Sequence, residues 1–288
     1  MSKITINDII FKKGKEKIIM LTCYDYSFAK ILDTLNIDMI LVGDSLANVV
    51  LGLPQTRLVS FKEMFNHMVA VAKATTKSLV VLDMPYVCYQ KDPKKSLYYA
   101  EKFLKSGADA IKIEWFNRCP YVVKTLIKNK IPVMGHIGLT PQTVHLLGGF
   151  KVQGKDLIGA RNLINQAKIL EDLGVFSIVC ECIPWQLARF ITKNVKIPTI
   201  GIGAGKYCDG QVLVLYDVLG LYKEKRPKFV RVYKDIGEEI KKALEYFIFD
   251  VKNKKFPTID ESFSMKNKEW LNLLKVKDAS IKKQHSKI

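Results

Sequence analysis

The chain has 288 residues, nearly half of them apolar, which is enough for a large core and is the usual size of one (β/α)8 barrel. Its net charge of +18 comes mostly from lysine spread along the chain and dense past Asp250, with no arginine-rich helix and no aromatic–basic alternation, so it reads as solvated helix faces rather than a nucleic-acid footprint. No apolar run reaches the roughly 18 residues of a membrane span, the start Met1-Ser2-Lys3-Ile4-Thr5 lacks a secretory layout, and six irregularly spaced cysteines suit a reducing cytoplasm better than a disulfide scaffold.

Apolar runs alternate with amphipathic stretches, the pattern of repeated βα units. Ile18 to Tyr24 reads as strand one and Tyr26 to Leu35 as a helix. Strand two is Asp38 to Asp44, followed by a Gly- and Pro-containing loop from Ser45 to Val59. Ser60 caps the next helix, with Glu63 three residues on as in a capping box. Ser78 to Asp83 is strand three, and the helix Lys94 to Ser106 stops at Gly107. Strand four is Ala110 to Glu114, then a helix near Tyr121 to Lys128, then strand five from Ile131 to His136. The glycine-rich stretch from Ile137 to Lys155 has the length of a functional loop. A helix over Leu157 to Leu173 closes at Gly174. Strand six is Ser177 to Glu181, strand seven Ile197 to Gly203 and strand eight Val212 to Leu215. Ile236, Ile240, Leu244, Phe247 and Val251 form one stripe of a last barrel helix. The expected architecture is α/β, a single (β/α)8 TIM-type barrel over residues 1–263 with an N-terminal helical segment. A lysine-rich tail over 264–288 follows, with a short helix around Trp270 to Leu274.

Five strand-like runs end on a polar group: Asp44, Asp83, Glu114, His136 and Glu181. In a closed parallel barrel such ends converge at the rim where active sites are built. One acid alone at a strand end reads as a cap for the following helix. Three at adjacent strand ends (Asp44, Asp83, Glu114) repel one another unless they share a cation, and hard oxygen donors favour Mg2+. Lys112 lies two residues before Glu114 and so faces the barrel interior, either paired with Glu114 or meeting a substrate carboxylate or oxo group. His136 sits between Gly135 and Gly138, which leave space for a ligand. Glu181, across the mouth from the three acids and between Val179 and Ile183, fits a general base with a raised pKa. Gly201, Gly203 and Gly205 fit a close backbone approach to a ligand. Cys180 and Cys182 alternate away from the face used by Glu181 and read as core residues.

With these residues in view, the chain resembles the ketopantoate hydroxymethyltransferase family from about Lys17 to Phe263. The resemblance runs through Thr22–Ala29 (TCYDYSFA), Leu41–Leu46 (LVGDSL), Leu82–Tyr86 (LDMPY), Ile111–Glu114 (IKIE), Gly135–Gln142 (GHIGLTPQ) and Gly148–Gly154 (GGFKVQG). It continues with Glu181–Pro184 (ECIP), Ile200–Gly205 (IGIGAG), Asp209–Val214 (DGQVLV) and Pro227–Phe229 (PKF). It implies transfer of a one-carbon unit from 5,10-methylenetetrahydrofolate to 3-methyl-2-oxobutanoate, giving 2-dehydropantoate for pantothenate synthesis through a metal-stabilised enolate. It also implies one Mg2+ per subunit, no nucleic-acid or membrane partner, and a cytoplasmic homo-oligomer, often a decamer. By resemblance, Asp44, Asp83 and Glu114 form the metal site, and Asp44, Ser45, Asp83 and Lys112 contact the oxo acid. Glu181 accepts the proton and His136 is a substrate-side hydrogen-bonding group. Ala47, the Leu53–Val59 loop and Trp115–Asn117 depart from the family pattern on what the resemblance makes the folate side. A carbon–carbon lyase acting on another 2-oxo acid would use the same enolate chemistry.

Overall fold

The computed structural model describes residues 2–90, 92–224 and 226–275. In chain order the elements are α1 (Ile6–Phe11), β1 (Ile18–Thr22), α2 (Tyr26–Asp33), β2 (Met39–Val42), α3 (Leu46–Val49), α4 (Phe61–Ala74), β3 (Leu79–Asp83), α5 (Tyr86–Tyr89), α6 (Pro93–Lys105), β4 (Ala110–Glu114), α7 (Cys119–Lys128), β5 (Val133–Gly138), α8 (Leu157–Leu173), β6 (Ser177–Glu181), α9 (Trp185–Asn194), β7 (Thr199–Ile202), β8 (Gly210–Leu213), α10 (Leu215–Val218) and α11 (Ile236–Lys252). Short 3-10 turns lie at Thr56–Leu58 and Pro141–Leu147. The eight strands are parallel and close in sequence order, β8 pairing with β1, so the expected (β/α)8 barrel is present.

Two apolar layers account for the closure. Inside the barrel, Met20, Met39, Leu41, Val81, Met134 and Val212 form one cluster, and Ile9 of α1 joins it at no exposure. Thr5 and Asp8 cap α1 reciprocally, which fixes the turn that aims Ile9 inward. Outside the strands, the alternate positions Ile40, Val80, Ile111 and Ile178 pack with Met68 of α4, Phe103 of α6, Leu126 of α7 and Leu170 of α8. Central strands are therefore buried on both faces, which is why their sequences read as unbroken apolar runs rather than alternating ones.

Compact contacts divide the chain into Met1–Lys234 and Asp235–Ile288. Among the described residues the first holds every strand. In the second, the α11 stripe forms on a single helix, but none of its residues is buried. The chain is also helical from 267 to 275, spanning the short helix expected around Trp270 to Leu274. Among the described residues no helix is long and apolar enough to cross a membrane. The tail beyond residue 275 lies outside the described residues.

Candidate active site

Parallel register lifts the polar strand ends to one rim. Asp83 is the Cα partner of Lys112, Glu114 of His136, and Glu181 of Gly138. Asp44 follows β2 by one glycine, and its backbone N–H donates to Asp83 Oδ2 at 3.1 Å. Gly43 permits this tight exit, since a Cβ there would lie 2.9 Å from Ser45 Oγ and 3.3 Å from Thr22. Ser45 Oγ shares a hydrogen bond of 2.8 Å with the hydroxyl of buried Tyr24.

A continuous chain of polar contacts crosses the mouth. Lys112 Nζ is 2.7 Å from Asp83 Oδ1; of the two roles the sequence leaves open, an internal pair with Glu114 or a substrate oxygen, the internal partner is Asp83 instead, because the register sets Lys112 directly beside it. The same ammonium donates to His136 Nδ1 at 3.0 Å. An ammonium has no acceptor capacity, so His136 Nδ1 accepts and the ring proton sits on Nε2. That nitrogen lies 3.3 Å from Glu181 Oε2, while Nδ1 is 3.7 Å from Glu114 Oε1. Burial, with Lys112 beside it, holds the imidazole well below its ordinary pKa, so it is neutral. Burial opposes the Lys112 charge, but Asp83, Glu114 and Asp44 more than offset this and hold the ammonium above its ordinary value.

Gln142, in the turn after β5, ties the acids from above. Its backbone N–H donates to Glu114 Oε2 at 3.0 Å, and its Nε2 donates to Asp44 Oδ2 at 2.8 Å and to the Met84 carbonyl at 3.1 Å. Its Oε1 accepts from Tyr89. Gln142 and Tyr89 carry no role in the sequence reading. Gln142 was visible only as the last letter of GHIGLTPQ, and Tyr89 lies in an apolar run.

The rim holds more negative than positive charge. Burial and the neighbouring Asp83 push the Asp44 carboxyl up to about 7. Burial pushes Glu114 well above its ordinary value, with Asp44 adding to it. Burial raises Glu181 to about 8, Lys112 opposing and Asp44 and Asp83 reinforcing. Glu114 Oε1 is buried without a hydrogen-bond partner. Among the described residues no three His, Cys, Asp or Glu side chains form a preformed cation cage. Four carboxylates against one ammonium nevertheless make a hard-oxygen, cation-deficient site, which suits a small divalent ion held by one or two carboxylates with waters or substrate completing its shell. Glu181, its side chain 15 % exposed, is the most accessible of the acids and can meet a ligand entering the mouth.

The glycines play a different part from the one the sequence suggested. A Cβ on Gly135 would meet Leu170 of α8, and one on Gly138 (φ +96°) would strike the Glu181 carbonyl; neither opens space for a ligand. Gly201 faces Cys208 and Gln211, Gly203 faces Phe229, and Gly205 faces Trp185. These glycines let the wall close on itself. Cys180 is buried in the outer layer, as its alternation against Glu181 requires.

Solved structures share the fold. Phosphonopyruvate hydrolase in complex with oxalate and Mg++ superposes with a TM-score of 0.59 at 11% identity, covering 96% of this chain and 98% of that one. A 2,3-dimethylmalate lyase of the PEP mutase/isocitrate lyase superfamily gives 0.56 at 11%, covering 98% of each. Curated relatives are far nearer in sequence. The 3-methyl-2-oxobutanoate hydroxymethyltransferase of Clostridium kluyveri is 51% identical over 88% of this chain and 91% of its own. Those of Clostridium botulinum (strain Kyoto / Type A2) and Caldicellulosiruptor saccharolyticus are 49% and 46% identical, over 88% and 91% of this chain and 93% and 100% of theirs. The sequence profile of ketopantoate hydroxymethyltransferase matches residues 3–259, and with these relatives it shows that the chain is an enzyme belonging to the ketopantoate hydroxymethyltransferase family.

Proposed function

We propose that the barrel rim transfers a hydroxymethyl group from 5,10-methylenetetrahydrofolate to 3-methyl-2-oxobutanoate, giving 2-dehydropantoate. The observation that carries this reading is the Asp83–Lys112–His136–Glu181 chain. It places a carboxylate of raised proton affinity, about 8, across the mouth from two neighbouring acids. Glu181 takes the proton from C3 of the oxo acid, where general-base catalysis contributes roughly 10²–10⁴-fold. The neutral His136 holds Nε2–H 3.3 Å from Glu181 Oε2 without a hydrogen-bond partner, free to donate to a substrate oxygen. Lys112, fixed by Asp83, offers its remaining proton to a carboxylate or oxo oxygen of the substrate. Ser45, held by Tyr24, supplies a hydroxyl beside Asp44. Asp44, Asp83 and Glu114 are the residues that would hold one Mg2+, which when bound supplies Lewis-acid stabilisation of the oxyanion that develops on the oxo acid.

The same reading takes residues 1–263 as the catalytic barrel and 264–288 as a basic tail. It extends to a cytoplasmic homo-oligomer, a decamer by family resemblance, that serves pantothenate synthesis. The test is deuterium exchange at C3 of 3-methyl-2-oxobutanoate, followed by proton NMR with and without Mg2+ and tetrahydrofolate. Exchange that requires Mg2+ and proceeds without folate is expected. Exchange indifferent to Mg2+ would remove the metal from the step, and exchange that persists at the wild-type rate in Glu181→Gln would remove Glu181 from the role of base.

A further inference from the structure

Gln142 has four hydrogen bonds and is 2 % exposed, yet it lies in a short turn rather than on a strand. Its amide orientation is settled by chemistry. The Met84 carbonyl only accepts, so Nε2 faces it and Asp44, and Oε1 must accept from Tyr89. Tyr89 is itself fully packed, 1 % exposed and edge-on to Phe116, which leaves its hydroxyl little freedom. One residue therefore spans three successive strand ends. It reaches Asp44 after β2, Met84 after β3 and Glu114 on β4, across 98, 58 and 28 residues of sequence. It engages one oxygen of each acid, Oδ2 of Asp44 and Oε2 of Glu114, and Glu114 Oε1 is left without a hydrogen-bond partner.

We propose that Gln142, clamped by the Tyr89 hydroxyl, is a positioning residue that sets the carboxylate orientations of Asp44 and Glu114 and so the affinity of the rim for a divalent cation. The inference rests on the functional reading above, in that these acids hold the ion. Two mutually repelling carboxylates would otherwise rotate apart or toward Lys112. An amide donor on one oxygen of each removes that freedom without adding charge to the site. Outer partners of this kind are worth 10–100-fold in metal affinity.

The test is Mn2+ binding to the full chain, without substrate or folate, by water-proton relaxation and titration calorimetry. Wild type, Gln142→Leu, Gln142→Glu and Tyr89→Phe are compared, with metal-free melting temperatures measured alongside. Gln142→Leu should weaken Mn2+ binding by about 10–100-fold. Tyr89→Phe, which keeps the amide but frees it, should weaken binding less and in the same direction. Gln142→Glu keeps an acceptor for Tyr89 and loses the donor to Asp44, so it should not restore wild-type affinity. A purely structural role would lower the metal-free melting temperature and leave the Mn2+ affinity of the folded protein unchanged. Unchanged affinity in folded Gln142→Leu overturns the proposal; if that variant does not fold, unchanged affinity in Tyr89→Phe does so. Failure of the wild type to bind Mn2+ overturns both this inference and the metal assignment beneath it, whereas wild-type binding with unaffected variants overturns this one alone.

Discussion

The two rims of the barrel treat their carboxylates in opposite ways. At the N-terminal rim, Asp33 accepts four hydrogen bonds, from Thr76 N and Oγ1 and from Lys77 N and Ser78 N, at 2.7–3.0 Å. Asp38 accepts from Lys12 and Ile19 N, Asp109 from Lys3 and Val80 N, and Asp209 from Lys13, Gly14 N and Thr199 N. Burial pulls Asp33 upward, but its donors prevail and bring it down to about 2. At the C-terminal rim the acids outnumber their donors, and burial with mutual repulsion drives Asp44, Glu114 and Glu181 up. One rim uses its acids to tie strands to loops. The other leaves charge and lone pairs unspent, as a site that must bind something requires.

The largest expected effect breaks the working rim alone. Glu181→Gln removes the base while preserving shape, and should abolish C3 deuterium exchange and lower kcat by roughly 10²–10⁴-fold. Mn2+ binding and melting temperature should survive. Exchange at the wild-type rate in this variant would show that another group takes the proton.

Next in size is a pair of substitutions with opposite signs. Asp33→Ala leaves the buried Ser78 N–H without its acceptor, at about 1–3 kcal/mol, or roughly 2–4 °C of melting temperature per kcal/mol, while the exposed Thr76 and half-buried Lys77 donors turn to water. Asp44→Asn keeps an acceptor for Gln142, relieves repulsion with Asp83, and should raise the metal-free melting temperature while weakening Mn2+ binding. Calorimetry in EDTA checks both. Equal destabilisation by the two substitutions would mean that the rims are not different in kind.

The same contrast governs pH. Asp44 and Glu181 have folded-state pKa values raised above their ordinary ones, so they hold more protons folded than unfolded. Their contribution is complete at low pH and is lost as pH rises through about 7 and 8. Asp33 is depressed, so its contribution is present above its ordinary pKa of about 4 and is lost as pH falls through about 2. Melting temperatures of the metal-free protein should therefore decline between about pH 4 and pH 8, the ordinary and folded values of these groups, and the decline should be shallower in Glu181→Gln. A flat wild-type profile over that range would reject the proton uptake assigned to this rim.

Much of this was legible locally, because a parallel barrel writes its strands as apolar runs and its functional ends as the first polar residue after them. β4 and β6 fall on Ala110–Glu114 and Ser177–Glu181, as read from the sequence. The sequence puts β8 at Val212 to Leu215, two residues later than the strand at Gly210–Leu213. Gly210 looks like a loop residue, yet it opens the strand because a Cβ there would strike the carbonyl of Ile18 where β8 closes on β1. β5 runs on to Gly138 because the positive φ lets it pass the Glu181 carbonyl. α9 carries only Leu187, Ala188 and Ile191 as buried residues, a stripe too short to stand out. Gln142 stands in the sequence only as the end of GHIGLTPQ, and its role is not legible there. Its partners Tyr89 and Asp44 lie 53 and 98 residues away, and no local pattern encodes that contact.

The smallest effect sharpens the picture of the structural rim. Lys3 and Asp109 form an ion pair whose side chains are 38% and 29% exposed. Water competes for both groups, and such pairs contribute about 0–1 kcal/mol. Removing Lys3 leaves Asp109 still accepting from Val80 N at 2.8 Å, and Ile4 N still donates to the Lys77 carbonyl at 2.7 Å, so the N-terminal segment stays attached. Lys3→Ala should therefore change the denaturation midpoint by less than about 1 kcal/mol and leave Mn2+ affinity untouched. A larger loss would mean that Lys3, Lys12 and Lys13 act as one coupled network beneath the barrel rather than as separate ties, and the N-terminal rim would then share the collective electrostatics that this comparison reserves for the other end.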